Sequence, residues 1–71
     1  MSEDPREWAE AVAALRLPPR SDVRLQKLMG RNTEGSLTEA EREELETLVE
    51  LSETIALVRA RSLQMLGRKP A

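Results

Sequence analysis

The chain has 71 residues, of which 39 % are hydrophobic and 34 % charged, and it contains no histidine, cysteine or tyrosine. This composition excludes disulfides and the usual zinc ligands, and it removes the commonest catalytic base and the strongest nucleophile. A chain this short, without disulfides or a bound metal, generally depends on oligomerisation or on a partner for its stability. We therefore expect a non-catalytic protein, with no cofactor and no metal, that binds another polypeptide.

The net charge of −2 conceals four zones of alternating sign. Residues 1–15 carry −3, residues 16–31 carry +4, residues 32–54 carry −7 and residues 55–71 carry +4. No run approaches the roughly 18 apolar residues of a membrane span, and the acidic first ten residues do not resemble an export signal. We expect a cytoplasmic protein with no membrane partner and no direct contact with nucleic acid.

The first predicted helix covers residues 5–16. Asp4 supplies an N-cap and Pro5 stands at the first helical position, where its missing N–H costs little. Apolar residues then recur at helical spacing, and they form a narrow stripe: Trp8, Ala11, Val12 and Leu15. Trp8 either anchors this helix to the rest of the chain or contacts a partner, so the helix docks in cis or in trans.

The second predicted helix covers residues 20–31, after the break at Leu17-Pro18-Pro19. Its basic residues recur at intervals of three and four, which makes a stripe along one face: Arg20, Arg24, Lys27 and Arg31. An antiparallel hairpin would set this stripe near the acidic first half of the third helix, where Glu41, Glu44 and Glu46 lie. A phosphate-binding role is the alternative.

The turn from Asn32 to Leu37 partly resembles a calcium loop. With Gly35 in the sixth position, Glu41 would be the bidentate ligand in the twelfth. The first position would then be Gly30 instead of an aspartate, and the chain has no second loop to pair with this one. We prefer an ordinary turn in which Gly35 adopts a positive φ.

The third predicted helix, residues 38–66, organises the chain, and a tail follows over residues 67–71. Thr38 and Glu41 form a capping box, and no proline or glycine interrupts the helix before Gly67. At about 100° per residue, its apolar side chains fill an arc about 200° wide, whereas an ordinary amphipathic helix has a stripe a little over 100° wide. Two short helices cannot cover such an arc, so another chain is expected to cover the remainder.

The predicted contact with a partner or with a second copy lies on this long helix. Its residues are Leu51, Ile55, Leu57, Val58, Arg59 and Met65. Arg59 falls inside the apolar arc, where an unpaired charge is costly. We expect Arg59 to bridge to a glutamate of an antiparallel partner helix, or else to lay its stem over the core with its head in water.

These expectations define one small all-α domain over residues 1–71. In it, two short helices precede one long helix and form a helical hairpin that self-associates or packs on a partner. The residues by themselves favour a protein–protein interaction module. A self-associating structural or regulatory module is the alternative, and a metal-binding regulator is a distant third.

Several motifs between residues 17 and 70 resemble a group of short bacterial, often cyanobacterial, proteins that are often encoded directly before a small HNH-type endonuclease or a similar partner. The similar motifs are Leu17-Pro18-Pro19, Leu25-Gln26-Lys27-Leu28-Met29, Arg31-Asn32, Glu34-Gly35, Leu37-Thr38, Glu41-Arg42-Glu43-Glu44-Leu45, Leu48-Val49-Glu50-Leu51-Ser52-Glu53 and Leu66-Gly67-Arg68. The resemblance implies an antitoxin-like protein of a toxin–antitoxin system, which binds and inhibits a co-expressed nuclease. It covers about three quarters of the chain and does not include the helix around Trp8.

Overall fold

A computed structural model describes residues 4–68, and within that range the chain forms three α-helices and no strand. Helix α1 is Pro5–Ala13, α2 is Pro19–Thr33 and α3 is Glu39–Met65. The predicted all-α class and the order of two short helices before one long helix are confirmed. The last three residues of the predicted tail lie outside the described residues.

Helix α1 begins as predicted but ends three residues earlier than predicted. At its start, the Asp4 carboxylate accepts the N–H of Arg6 at 3.0 Å. At its end, the Arg16 guanidinium donates to the carbonyls of Ala13 at 3.2 Å and Leu15 at 2.7 Å. The Arg16 side chain thus binds the Ala13 carbonyl, which the Leu17 N–H would bond if the helix continued, and the predicted end at Arg16 is wrong.

Helix α2 is one residue longer at its start and two residues longer at its end than the predicted 20–31. Proline occupies its first turn, where the N–H groups have no helical partner to lose. Gly35, with a φ of 71°, closes the helix: its N–H donates to the Asn32 carbonyl and the N–H of Ser36 donates to the Arg31 carbonyl, both at 3.0 Å. The positive φ predicted for Gly35 is confirmed, and the pattern is a Schellman motif.

Helix α3 agrees with its prediction to within one residue at each end. The Thr38 N–H donates to the Glu41 carboxylate at 3.0 Å, and the Glu41 N–H donates to the Thr38 hydroxyl at 3.1 Å. The predicted capping box is therefore confirmed. Gly67, with a φ of 72°, ends the helix in a second Schellman motif, in which the Arg68 N–H donates to the Leu63 carbonyl at 2.8 Å.

The two glycines of α2 and its following turn should respond to alanine with opposite signs. Gly30 lies inside the helix with no heavy atom within 4 Å of an added Cβ, so Gly30→Ala should raise the free energy of unfolding by up to about 1 kcal/mol. Gly35→Ala should lower it by about 1 kcal/mol, because the left-handed region strains any side chain. Urea denaturation followed by circular dichroism measures both, and changes of the same sign would contradict the assignment.

The chain folds into two compact units. The first unit consists of the residues up to Arg16 together with those from Thr54 onward, and the second is Leu17–Glu53. Helix α3 contributes its residues up to Glu53 to the second unit and the remainder to the first. The prediction of one domain over residues 1–71 stays a prediction.

The second unit has a small core centred on α2. Leu25 and Leu28 are buried, and Leu28 is completely inaccessible to solvent. Leu45 and Leu48, from the α3 part of the unit, are half-buried. The two leucines of each helix are three residues apart, so each pair lies on one face of its helix.

Ion pairs connect α2 to the acidic start of α3 within the second unit. Arg24 donates from its Nε and one Nη to the two carboxylate oxygens of Glu44, at 2.7 and 2.8 Å. Arg31 pairs with Glu41, which also lies 3.9 Å from Arg24. The predicted approach of the basic stripe to the acidic half of α3 is confirmed for these two arginines. Exposed ion pairs of this kind favour contact between particular faces of the two helices, but each pair contributes little to stability.

These pairs predict an acid-sensitive stability of the second unit. The hydrogen bond from Arg24 lowers the pKa of Glu44. The hydrogen bond from the Thr38 N–H is the largest of several contacts that lower the pKa of Glu41. A carboxylate whose pKa is lowered on folding stabilises the protein above its unfolded pKa, and this contribution disappears as the pH falls through the folded pKa.

We therefore expect the urea midpoint to fall between about pH 5 and pH 3, the range around and below the ordinary glutamate pKa. Arg24→Met should make this fall shallower, because the main cause of the lowered pKa of Glu44 is removed. Lys27→Met is the matched control, since Lys27 is an exposed base on the same helix. If the Arg24→Met and Lys27→Met curves show the same pH dependence, the ion pair does not carry the effect.

Small residues form the core of the first unit. Ala9 of α1 and Ser62 of α3 are buried, and the Ser62 hydroxyl donates a hydrogen bond to the Ala9 carbonyl. Small side chains at both positions allow the two backbones to approach closely. The larger apolar residues beside them are left at the edges of the crossing, and these edge residues form the candidate site.

Candidate functional site

An open apolar groove runs along the first unit between α1 and the last turns of α3. It has a volume of about 390 Å³. We name it the tryptophan groove, and its lining residues are Trp8, Val12, Leu57, Val58, Arg61, Ser62 and Met65. Five of these seven side chains are apolar, and Arg61 is the one charged residue among them.

The large apolar side chains of the tryptophan groove are strongly exposed. The exposed fraction is 58 % for Trp8, 67 % for Leu57, 42 % for Val58 and 70 % for Met65. Single exposed apolar residues are common on proteins, but a contiguous group of this size marks a binding surface or an aggregation hazard. The groove can therefore bind an apolar surface, and its one charged lining residue can select the sign of the charge beside that surface.

The structure brings together four of the residues predicted to contact a partner. Leu57, Val58 and Met65 meet Trp8 in the tryptophan groove, although sequence reasoning left the role of Trp8 open. Ile55 belongs to the same unit but is half-buried and does not line the groove.

Leu51 belongs to the second unit and is 44 % exposed. It does not line the tryptophan groove. Its predicted contact with a partner stays a prediction.

Arg59 takes an arrangement that neither sequence alternative described. Its Nε donates to the Ala13 carbonyl at 3.3 Å, and the residue is half-buried. The positive guanidinium therefore lies at the C-terminal end of α1, where the helix dipole and the free carbonyls favour a cation. This bond explains how a charge is tolerated within the apolar arc. The predicted bridge from Arg59 to a glutamate of another chain stays a prediction.

An ion pair in the first unit was not predicted from the sequence. Arg68 donates from its two Nη atoms to the two carboxylate oxygens of Glu10, at 3.0 and 2.5 Å. The hydrogen bond from Arg68 lowers the pKa of Glu10. The two residues are 58 positions apart in the sequence, so no local pattern could have paired them. The sequence signal for this pair was that the two residues carry opposite charges and lie near opposite ends of the chain.

No known protein-family model, no curated protein and no solved structure matches this chain. The interpretation of the grooves therefore depends on their own geometry and charge. The resemblance to antitoxin-like proteins depends on short sequence motifs alone.

A second groove, which we name the acidic groove, lies in the second unit. Its lining residues are Asn32, Arg42, Leu45, Glu46, Val49, Glu50 and Glu53, and its volume is about 400 Å³. Leu45 and Val49 form an apolar strip at a spacing of four residues along α3. The three glutamates follow the same helix at intervals of four and three, so they share one face with that strip.

Residues 4–68 contain no group of three or more acidic side chains arranged to hold a metal ion. Among the helices in this part of the chain, none has both the length and the apolar character that crossing a membrane requires. The apolar tryptophan groove and the mixed acidic groove each have the physical capacity to bind another surface.

Proposed function

We propose that this protein is a non-catalytic interaction module, an antitoxin-like protein that binds and inhibits a co-expressed nuclease toxin in the cytoplasm. The tryptophan groove is the observation that supports protein binding in this proposal. Trp8, Leu57 and Met65 each expose more than half of their side chains in one contiguous apolar surface. Burying such a surface against a partner would contribute roughly 25 cal/mol for each Å² removed from water.

The nuclease part of the proposal is supported by the resemblance of residues 17 to 70 to proteins encoded before HNH-type endonucleases. In this view, α2 and the first half of α3 form a helical hairpin held by the arginine–glutamate pairs. The inhibitor would act by stoichiometric binding, because a chain without histidine, cysteine or tyrosine has few groups for general acid–base chemistry.

Self-association without a nuclease partner is the alternative function, and the same exposed groove favours it. A structural or regulatory module of this kind would bury the tryptophan groove against another copy. The two functions differ in one measurable respect, which is whether a second protein is retained when the chain is purified from its own operon.

Co-purification tests the proposal. A tagged chain is expressed together with the product of the adjacent reading frame, and the complex is isolated by affinity and then by size. We expect the two proteins to elute together at a fixed ratio. Leu57→Glu should reduce the recovered partner at least about tenfold, since a charge would enter the centre of the apolar contact.

Val23→Glu is the matched control for Leu57→Glu. Val23 is 68 % exposed on α2, nearly the same fraction as Leu57, and both are apolar helical residues. The Val23→Glu chain should retain the partner. Failure of the unchanged chain to retain the adjacent gene product, while remaining helical, would overturn the nuclease proposal.

A further inference from the structure

The tryptophan groove has a specific requirement for its occupant. Its floor and walls are apolar except at Arg61 and Ser62, and the Ser62 hydroxyl already donates to the Ala9 carbonyl. An occupant must therefore present apolar side chains to most of the groove. A helix with one apolar face meets this requirement, as in other cases of a helix bound in a groove.

Arg61 adds a requirement of charge. In the described part of the chain, Arg59 bonds a backbone carbonyl and Arg68 pairs with Glu10, whereas Arg61 forms no hydrogen bond or ion pair. Arg61 is exposed at the edge of the apolar surface. A carboxylate beside the apolar face of the occupant would pair with this guanidinium, and a second cation would be repelled.

The chain itself carries a surface with this chemistry, in the acidic groove of the second unit. Leu45 and Val49 supply an apolar strip, Glu46 and Glu53 stand beside it, and the three glutamates that line the groove outnumber its one cation, Arg42. Neither Glu46 nor Glu53 forms an ion pair within residues 4–68, so both carboxylates are available to an incoming cation.

The net charges of the two units are complementary. The described residues of the first unit hold five arginines against three acids, a charge of +2, and the second unit holds five bases against nine acids, a charge of −4. Contact between the first unit of one copy and the second unit of another is therefore attractive at long range. Contact between two tryptophan grooves would instead bring two copies of Arg61 together.

We propose that the tryptophan groove of one copy binds the acidic groove of a second copy, with Arg61 paired to Glu46 or Glu53 across the contact. The contact joins unlike surfaces of two copies, so one such contact is enough to form a dimer. The inference goes beyond the proposed function, since it holds with or without a nuclease. It also implies that a second copy and a protein partner would compete for the tryptophan groove.

Sedimentation of the full chain across the micromolar range, with emission of Trp8 recorded on the same samples, tests this inference. Trp8 is the only tryptophan in the sequence, so its emission reports on the groove alone. We expect dimers to form with rising concentration and the emission to move to shorter wavelength as they form. A helical chain that stays monomeric, or a dimer whose Trp8 emission does not change, would overturn the assignment.

Charge reversal then tests which surfaces meet. Arg61→Glu alone, and Glu46→Arg combined with Glu53→Arg in another chain, should each raise the dissociation constant at least about tenfold, because both place like charges across the contact. An equimolar mixture of these two variants should associate again, since every reversed charge then faces an opposite one.

Arg20→Glu controls for the change in net charge, because Arg20 is exposed on α2 and lines neither groove. This variant should dimerise like the unchanged chain. If the mixture fails to recover association, or if Arg20→Glu weakens it as much as Arg61→Glu does, the proposed pairing is wrong. Nuclease inhibition is measured separately, so loss of the dimer does not decide the proposed function.

Discussion

Leu28→Ala should destabilise the second unit by about 2–5 kcal/mol, the range observed when a buried leucine is truncated. Leu28 is the one large side chain in residues 4–68 that solvent does not reach at all, so its removal leaves a cavity in the centre of a very small core. Typical stability is about 0.05–0.15 kcal/mol per residue, and the loss is therefore a large part of the total for a chain of 71 residues. Urea denaturation followed by circular dichroism measures it.

Met29→Ala is the matched control for Leu28→Ala. Met29 is the next residue of α2 and is 46 % exposed, so its truncation should change the free energy of unfolding by less than about 1 kcal/mol. Equal effects of the two substitutions would show that α2 does not bury the face that the structure assigns to it.

Ser62→Leu should separate α1 from α3 within the first unit. The serine is buried where the two helices cross, and its hydroxyl donates to the Ala9 carbonyl. Leucine would introduce extra volume at this crossing and would also remove the donor, costs of about 1–3 kcal/mol each. We expect the helices to move apart, with a change in Trp8 emission and a lower melting temperature.

Gln64→Leu distinguishes this packing effect from a general effect of leucine on α3. Gln64 is exposed two residues further along the same helix, so the substitution meets no neighbouring helix. It should leave the melting temperature nearly unchanged. A melting temperature for Ser62→Leu equal to that of the unchanged chain would mean that the helices do not cross closely at Ala9.

Local signals in the sequence predicted most of the secondary structure. The Asp4 cap, the capping box of Thr38 and Glu41, and the glycines at positions 35 and 67 are short-range devices whose partners lie within a few residues. Such devices can be recognised from spacing alone. The end of α1 could not be, because the Ala13 carbonyl is bonded by Arg16 and also by Arg59, which is 46 residues away.

The sequence indicated which types of residue form the candidate site, but it did not indicate how they are arranged. The over-wide apolar arc of α3 indicated that residues such as Val58 and Met65 would lack full cover, and both are exposed, whereas Leu57 is exposed but lies outside that arc. Periodicity could not show that Trp8 joins them, because that depends on the close crossing of Ala9 and Ser62. Small residues add no hydrophobic signal to the sequence, so periodicity could not indicate the helix crossing beside which the groove forms.

We propose that this chain acts by binding a protein partner through its exposed apolar surface. Titration of the purified chain into the product of the adjacent reading frame, which we propose to be a nuclease, provides the sharpest test, with cleavage rate as the readout. We expect activity to fall linearly to near zero at a fixed molar ratio, and at least about tenfold more of the Leu57→Glu chain to be required. Full nuclease activity in the presence of an excess of the helical, unchanged chain would contradict it.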